Sequence, residues 1–212
     1  MKDREKTDLL TKICYLYLRD IGCFEIGTEI HIPYYGLRDY TNEADKHYNI
    51  DLVGINWKYL PPSKQYIKKI VTEAFSYDNK VIKEPTLRGI EIKVSRSDFN
   101  NGFVHVGCNY NYLMTPKGLI DKKEVHKDIG IIEVDLENLS LRKRRPPWYG
   151  VNITGITHLR KPKFKEVSDK IFNKIQGQIG YKLTLQTARW VRDELLQNPS
   201  LNTKEEKNHG KN

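Results

Sequence analysis

The chain has 212 residues, long enough for one well-buried domain with appendages and short for two. Hydrophobic residues at 38% and charged residues at 30% describe a soluble protein with a wet surface, and no run approaches the ~18 apolar residues of a membrane span. The formal net charge of +9 points to a polyanionic partner.

Met1-Lys2-Asp3-Arg4-Glu5-Lys6 leads, without a small-residue cleavage site, into Leu9, Leu10, Ile13, Leu16 and Tyr17 at helical spacing. Residues 5–19 are therefore a predicted helix, not a secretory signal, and Asp20-Ile21-Gly22 stops it. Phe24 to Ile32 reads as a strand with Ile26, Thr28, Ile30 and Ile32 on one face and Glu25, Gly27, Glu29 and His31 on the other. Tyr48 to Asn56 is a second strand, apolar on both faces apart from Asp51, as a central strand would be. Pro61-Pro62-Ser63 opens a helix carrying Ile67, Ile70, Val71, Ala74 and Phe75. Gly89 to Ser95 is a third strand, and Ser95-Arg96-Ser97-Asp98-Phe99 a helix start that Asn100-Asn101-Gly102 cuts short. Tyr110 to Thr115 is a short strand, and Ile129 to Asp135 with Leu139 to Lys143 flank Leu136-Glu137-Asn138 as a hairpin. Helical patterns return at 164–176 and 183–197, the latter with Ala188, Trp190, Val191 and Leu195, and 199–212 has the composition of a disordered tail. This order implies an α/β mixed sheet flanked by helices. Cys14, Cys23 and Cys108 are odd in number and lack paired metal-ligand spacing, which fits reduced thiols in a cytoplasmic protein better than a disulfide framework or a zinc site.

The chemistry concentrates in the third strand. Alternation sends Ile90, Ile92 and Val94 to one face and Glu91, Lys93 and Ser95 to the other, so a carboxylate and an ammonium stand side by side on a stiff framework. Asp51, inside the apolar run Asn49-Ile50-Asp51-Leu52-Val53-Gly54-Ile55, adds a second carboxylate. Phosphodiester hydrolysis needs a metal held by oxygen ligands and a water made nucleophilic beside the phosphorus. Asp51 and Glu91 can hold magnesium, with manganese as a substitute, and the Ile92 carbonyl is a further candidate ligand. Lys93 can orient or deprotonate the water and offset developing charge. The plainer reading makes Glu91 and Lys93 the solvent face of an amphipathic strand, since the triplet alone recurs by chance in most proteins. Asp51 resists that reading, because a carboxylate in an apolar run is costly unless something polar satisfies it, although a structural Asp in a turn, supported by Asn49 and Gly54, would also do so. In a second tier, Glu29 offers a third carboxylate or simply a surface residue, and Ser95 a contact to a ligand water or a helix cap. The histidines show no paired spacing, and no Gly-rich phosphate loop, nucleophile elbow or Cys/His arrangement is present.

Between Arg142 and Lys182, eleven Lys/Arg stand against two acids, Glu166 and Asp169, so this segment carries the whole charge excess. Arg142, Lys143, Arg144, Arg145, Arg160, Lys161, Lys163 and Lys165 are its candidate contacts to a nucleic-acid backbone, with Trp148, Tyr149 and Phe164 interleaved for stacking. A solvated basic surface is the alternative. The absence of a broad apolar helix face disfavours a membrane.

Gly89 through Phe99, Gly-Ile-Glu-Ile-Lys-Val-Ser-Arg-Ser-Asp-Phe, resembles the Glu-x-Lys region of the PD-(D/E)XK nuclease superfamily, in particular its MmcB-like DNA-repair branch. Tyr112 to Ile120 and Ile129 to Val134 are similar to the strands that follow there, and the likeness covers roughly residues 5–145. It implies a restriction-endonuclease-like core built as a helix, a three-stranded meander, a helix and a further strand, with Asp51 and Glu91 on the metal and Lys93 at the water. The chain departs from the family in having no Pro before Asp51, a helical insertion at about 61–86, and a short, Gly-broken segment after Phe99.

The expectation is a magnesium-dependent DNA endonuclease of repair or restriction-like processing. Residues 1–145 would form the core, 146–198 a basic helical extension and 199–212 the tail. Three alternatives stay open: a non-catalytic nucleic-acid-binding protein on a nuclease-like fold, an RNA-directed nuclease, and a structural protein whose basic segment meets other proteins. A homodimer or partner protein is also left open.

Overall fold

The computed structural model describes residues 1–32, 48–59, 83–103, 107–143 and 151–196. The predicted helix that begins at Pro61, Arg144, Arg145, Trp148, Tyr149 and the tail lie outside the described residues.

Helix α1 (Asp3–Asp20) carries Asp3 and Glu5 in its first turn, where acids suit the positive end of the helix dipole, and Glu5 accepts from the Lys2 backbone N–H at 3.0 Å. Its buried residues are Leu10, Ile13, Cys14, Tyr17 and Leu18, one stripe at helical spacing. Gly22, at φ 87, turns the chain out of the helix, a conformation open to glycine at little cost. Strands β1 (Glu25–Ile32), β2 (Tyr48–Tyr59) and β3 (Lys83–Ile92) pair antiparallel in sequence order. A short helix, α2 (Arg96–Asn100), precedes β4 (Tyr110–Pro116), which lies parallel to β3, and β5 (Gly130–Val134) lies parallel to β4. Strands β6 (Ser140–Lys143) and β7 (Val151–Thr154) form a separate two-stranded ribbon, β8 (Ile156–Arg160) pairs antiparallel with β5, and α3 (Asp169–Leu196) ends the described chain. The result is a six-stranded mixed sheet in the order β1-β2-β3-β4-β5-β8, flanked by helices.

Two apolar clusters sandwich the sheet. One joins Leu10, Ile13 and Leu18 of α1 to Ile26, Leu52, Ile90, Ile92 and Met114; the other joins Ile175 and Ile179 of α3 to Ile30, Ile50, Val53 and Ile55. Each such fully buried aliphatic side chain contributes about 1.5–3 kcal/mol. A third, smaller cluster places Leu113, Ile120, Val125, Ile129 and Ile131 beneath the β4–β5 connection. Gly89 is required by contact, since a Cβ there would lie 2.7 Å from the Cys108 sulfur. Cys14, Cys23 and Cys108 are free and buried, and burial pushes all three thiols above their ordinary pKa. Among the described residues no helix is long and apolar enough to cross a membrane.

Several expectations change. Ile26 and Ile30 do not share a face: Ile26 joins the α1 cluster, whereas Ile30 and Ile32 join the α3 cluster. The cause is Glu29, whose φ of 49 reverses the alternation of β1. Strands β5 and β6 are not a hairpin, because β5 is buried along its whole length between β4 and β8, and β6 pairs with β7 instead. Nor is the segment after 145 a helical appendage: β8 completes the sheet and α3 supplies part of its core. The two helical patterns at 164–176 and 183–197 are one helix, which starts only at Asp169.

Candidate active site

The site forms where β2 leaves β3. Pairing of β2 with β1 continues to Tyr48↔Ile32, but its pairing with β3 ends at Leu52↔Ile90. Alternation shifts at the same place, since Leu52 lies in the α1 cluster while both Ile50 and Val53 lie in the α3 cluster. Glu29, the residue with positive φ, falls between the pairs Thr28↔Leu52 and Ile30↔Ile50, opposite Asp51. Both strands therefore kink together, and the kink separates Asp51 from the ladder. Its Oδ2 then accepts the backbone N–H of Ile92 at 2.6 Å, beyond Ile90, where the pairing of β3 with β2 stops. A carboxylate thus satisfies a backbone donor that the departing strand leaves behind.

Across the fork, Glu91 and Lys93 are 7% and 9% exposed. Lys93 is fixed through its backbone, whose N–H donates to the Met114 carbonyl at 3.0 Å and extends the β3–β4 pairing. Its Nζ lies 3.9 Å from Glu91 Oε1 and donates to Asp98 Oδ1 at 3.2 Å, so the amine stands between two carboxylates. Asp98 is itself held: its Oδ2 accepts the Val94 N–H at 3.2 Å, and its own N–H donates to Ser95 Oγ at 3.3 Å. Ser95 is the N-cap of α2, its helix-cap reading. Asp51, Glu91, Ile92, Lys93, Ser95 and Asp98 line one cleft of about 390 Å³, whose other wall is Asp3, Arg4 and Thr7 from the first turns of α1.

Burial is the main cause that raises the pKa of Asp51 above the usual carboxylate range. The Ile92 N–H and the charge of Lys93 pull it back down, and the like charges of Asp98 and Glu29 push it up. Such a carboxylate gains from any added cation. Among the described residues no three His, Cys, Asp or Glu side chains are grouped to hold a metal. The cleft instead offers Asp51, Glu91 and the Ile92 backbone, the sparse oxygen set that suits magnesium, which keeps waters and takes one or two carboxylates.

The remaining candidates lie elsewhere. Glu29 is exposed, and its carbonyl and that of Thr28 accept from Lys182 Nζ at 2.6 and 2.7 Å, so a lysine of α3 braces the kink. Arg142 is exposed on β6, and Lys143 ends that strand. Arg160 donates to four carbonyls, those of Ile129, Lys122, Val125 and His126, at 2.7–3.1 Å. Lys163 and Lys165 reach Asp128 at 3.2 and 3.8 Å, while Lys161 is exposed. The stretch from Lys163 to Lys165 is tied at the opposite end of the sheet from Lys93: the Lys165 N–H donates to the Asn109 carbonyl just before β4, and Asn109 accepts from Leu87. Leu87 and Ile92 are separated by about 16 Å along β3. The side chain of Phe164 is partly covered by Tyr110, edge-on at 5.5 Å.

Sequence reasoning missed Asp98 as the partner of Lys93, though the Ser-x-x-Asp spacing of a capping box marks it. The α1 wall and Lys182 leave no sequence signal, since both come from contacts distant in the chain.

No protein-family model matches the sequence, and no curated protein matches it. Among solved structures, the SPO1766 protein of unknown function from Silicibacter pomeroyi is similar at 15% identity over 72% of this chain and 73% of its own, with a TM-score of 0.34, too slight a likeness to carry an argument.

Proposed function

We propose that the protein is a metal-dependent nuclease that hydrolyses phosphodiester bonds in DNA, with the cleft at the β2–β3 fork as its active site. One observation carries this reading: two carboxylates and a lysine, each partly or wholly withdrawn from solvent, meet where a strand leaves the sheet. Buried charges are costly to keep, and a fold gains nothing from gathering them around an open cleft unless the cleft binds something charged. The element order α1, β1–β2–β3 meander, α2, β4 is also the order that the resemblance to PD-(D/E)XK nucleases implies.

Asp51 and Glu91 are the residues that would hold magnesium, with the Ile92 carbonyl as a third oxygen. The ion would supply Lewis-acid stabilisation of charge on the phosphoryl oxygens. Lys93 orients the attacking water and lowers the cost of charge developing on the pentacoordinate phosphorus. Asp98 positions Lys93, and the Ile92 N–H positions Asp51. The kink at Glu29 keeps Asp51 out of the ladder, available to a ligand.

Matched DNA and RNA oligonucleotides, single- and double-stranded, incubated with Mg²⁺ or Mn²⁺ and with chelator, test this reading. Metal-dependent cleavage of DNA is the expected result. Cleavage of RNA alone would move the substrate, and binding without cleavage in any metal would leave a nucleic-acid-binding protein on this fold.

A further inference from the structure

We propose that the nucleic-acid backbone leaving the cleft runs over the β4–β5 connection, where Lys122, Lys123 and Lys127 take its phosphates. This rests on the nuclease reading of the cleft and adds the path of the substrate beyond it. The route differs from the Arg142–Lys182 segment that the distribution of charge along the sequence favours.

The surface begins one residue along the chain from the site. Ser95 lines the cleft, and its neighbour Arg96 lines a concavity of about 500 Å³ that extends to Lys122. Lys122 and Leu159 also line a second concavity, of about 900 Å³, which Lys123, Lys127 and Arg160 complete. That second hollow presents three lysines and one acid, Glu124, which Arg96 already holds at 2.7 Å, while the guanidinium of Arg160 is bonded to backbone carbonyls. Asp128, the next acid along the chain, is engaged by Lys163 and Lys165. Among the described residues no acid lies within ion-pair distance of Lys122, Lys123 or Lys127. These three lysines therefore carry no ion pair among these residues, although Asp121 and Glu124 belong to the same turn.

The lysines sit on a fixed platform. Asp121 caps the single turn Lys122–Glu124, accepting the Lys123 N–H at 2.9 Å. Arg160 bonds the carbonyls of Lys122, Val125 and His126, and Ile120 and Val125 are buried beneath. A lysine whose backbone is already ordered loses less entropy on meeting a phosphate than one on a loose loop. The concave shape and scattered cations suit a phosphodiester chain. A lipid surface would call for an amphipathic helix with a broad apolar face, which this turn lacks.

The test is fluorescence anisotropy of a labelled DNA duplex in chelator, so that binding is read apart from cleavage, across a salt series. For Lys122→Ala/Lys123→Ala/Lys127→Ala, affinity should fall by about tenfold or more and the salt slope by about 2–3, close to one for each phosphate no longer neutralised. The Lys→Arg triple at these positions should bind like wild type, which separates an effect of charge from a damaged fold. Arg142→Ala/Lys161→Ala/Lys163→Ala, with the same change of charge, should weaken binding clearly less. Equal effects in the two alanine triples, or unchanged binding in the first, would overturn the proposal. So would a first triple that keeps duplex binding but no longer binds phosphatidylserine vesicles that wild type binds. If wild type binds through these lysines yet cleaves nothing in any metal, the groove stands and the catalytic reading falls.

Discussion

The C-terminal end of β3 and the extended segment at the other end of the sheet both gather charge, and they handle it in opposite ways. At the fork, Glu91 and Lys93 are nearly buried, and Lys93 is held between Glu91 and Asp98. At the far end, the Lys163 side chain is 63% exposed and meets Asp128 at 3.2 Å. An exposed pair of the second kind contributes about 0–1 kcal/mol and costs little to form. The first kind costs desolvation at each group, which packing alone does not recover. A stretch of sequence rich in lysine thus says little about where a ligand binds, while a few withdrawn charges around a cleft say much.

That contrast can be broken by substitution. Glu91→Gln keeps shape and removes a charge proposed to bind the metal; DNA cleavage should fall on the order of 10²-fold or more, read as initial rate at saturating Mg²⁺. Asp98→Asn keeps the α2 cap but weakens the hold on Lys93, and the rate should fall by about tenfold, with a displaced pH–rate profile that a purely structural change would not produce. For Asp51→Asn the prediction is opposite for stability and activity. Burial raises the Asp51 pKa in the folded state, so its contribution to stability is fully present below the unfolded value, about 3.9, and is lost as pH rises through the folded value. The Asn variant escapes that loss, and its Tm at pH 7 should exceed that of wild type by a few degrees, the gain shrinking to nothing in acid, while cleavage is abolished. The smallest effect belongs to the far end: Lys163→Ala/Lys165→Ala should leave cleavage within about twofold and stability within about 0.5 kcal/mol.

Much of this site is legible in the sequence because it is local. Glu91, Ile92 and Lys93 lie on one strand whose alternation is regular, and Ile90, Ile92 and Val94 do fall in one cluster. Asp51 is legible for the complementary reason, as a charge in an apolar run, and its burial and raised pKa follow from that position. What the pattern hides is backbone irregularity. A period-2 reading of Phe24 to Ile32 assumes one phase, whereas Glu29 adopts φ 49 without being glycine, and the face of every residue beyond it reverses. Long-range pairing is hidden as well. Residues 129–143 read as a hairpin because β5 and β6 are near in sequence, yet β5 is claimed on both edges by β4 and β8. Arg160 shows the same limit for charge, since a residue counted as a phosphate ligand directs its guanidinium to four backbone carbonyls.

The most direct measurement is the nicking of supercoiled plasmid DNA by wild type beside Lys93→Ala and Asp51→Ala, each confirmed folded by circular dichroism, with Mg²⁺, with Mn²⁺ and with chelator. Wild type should convert the plasmid to open circles in either metal and not in chelator, and both variants should be slower by at least about 10²-fold. No metal-dependent nicking by wild type, or nicking that survives both substitutions, would contradict a metal-dependent nuclease site at the β2–β3 fork.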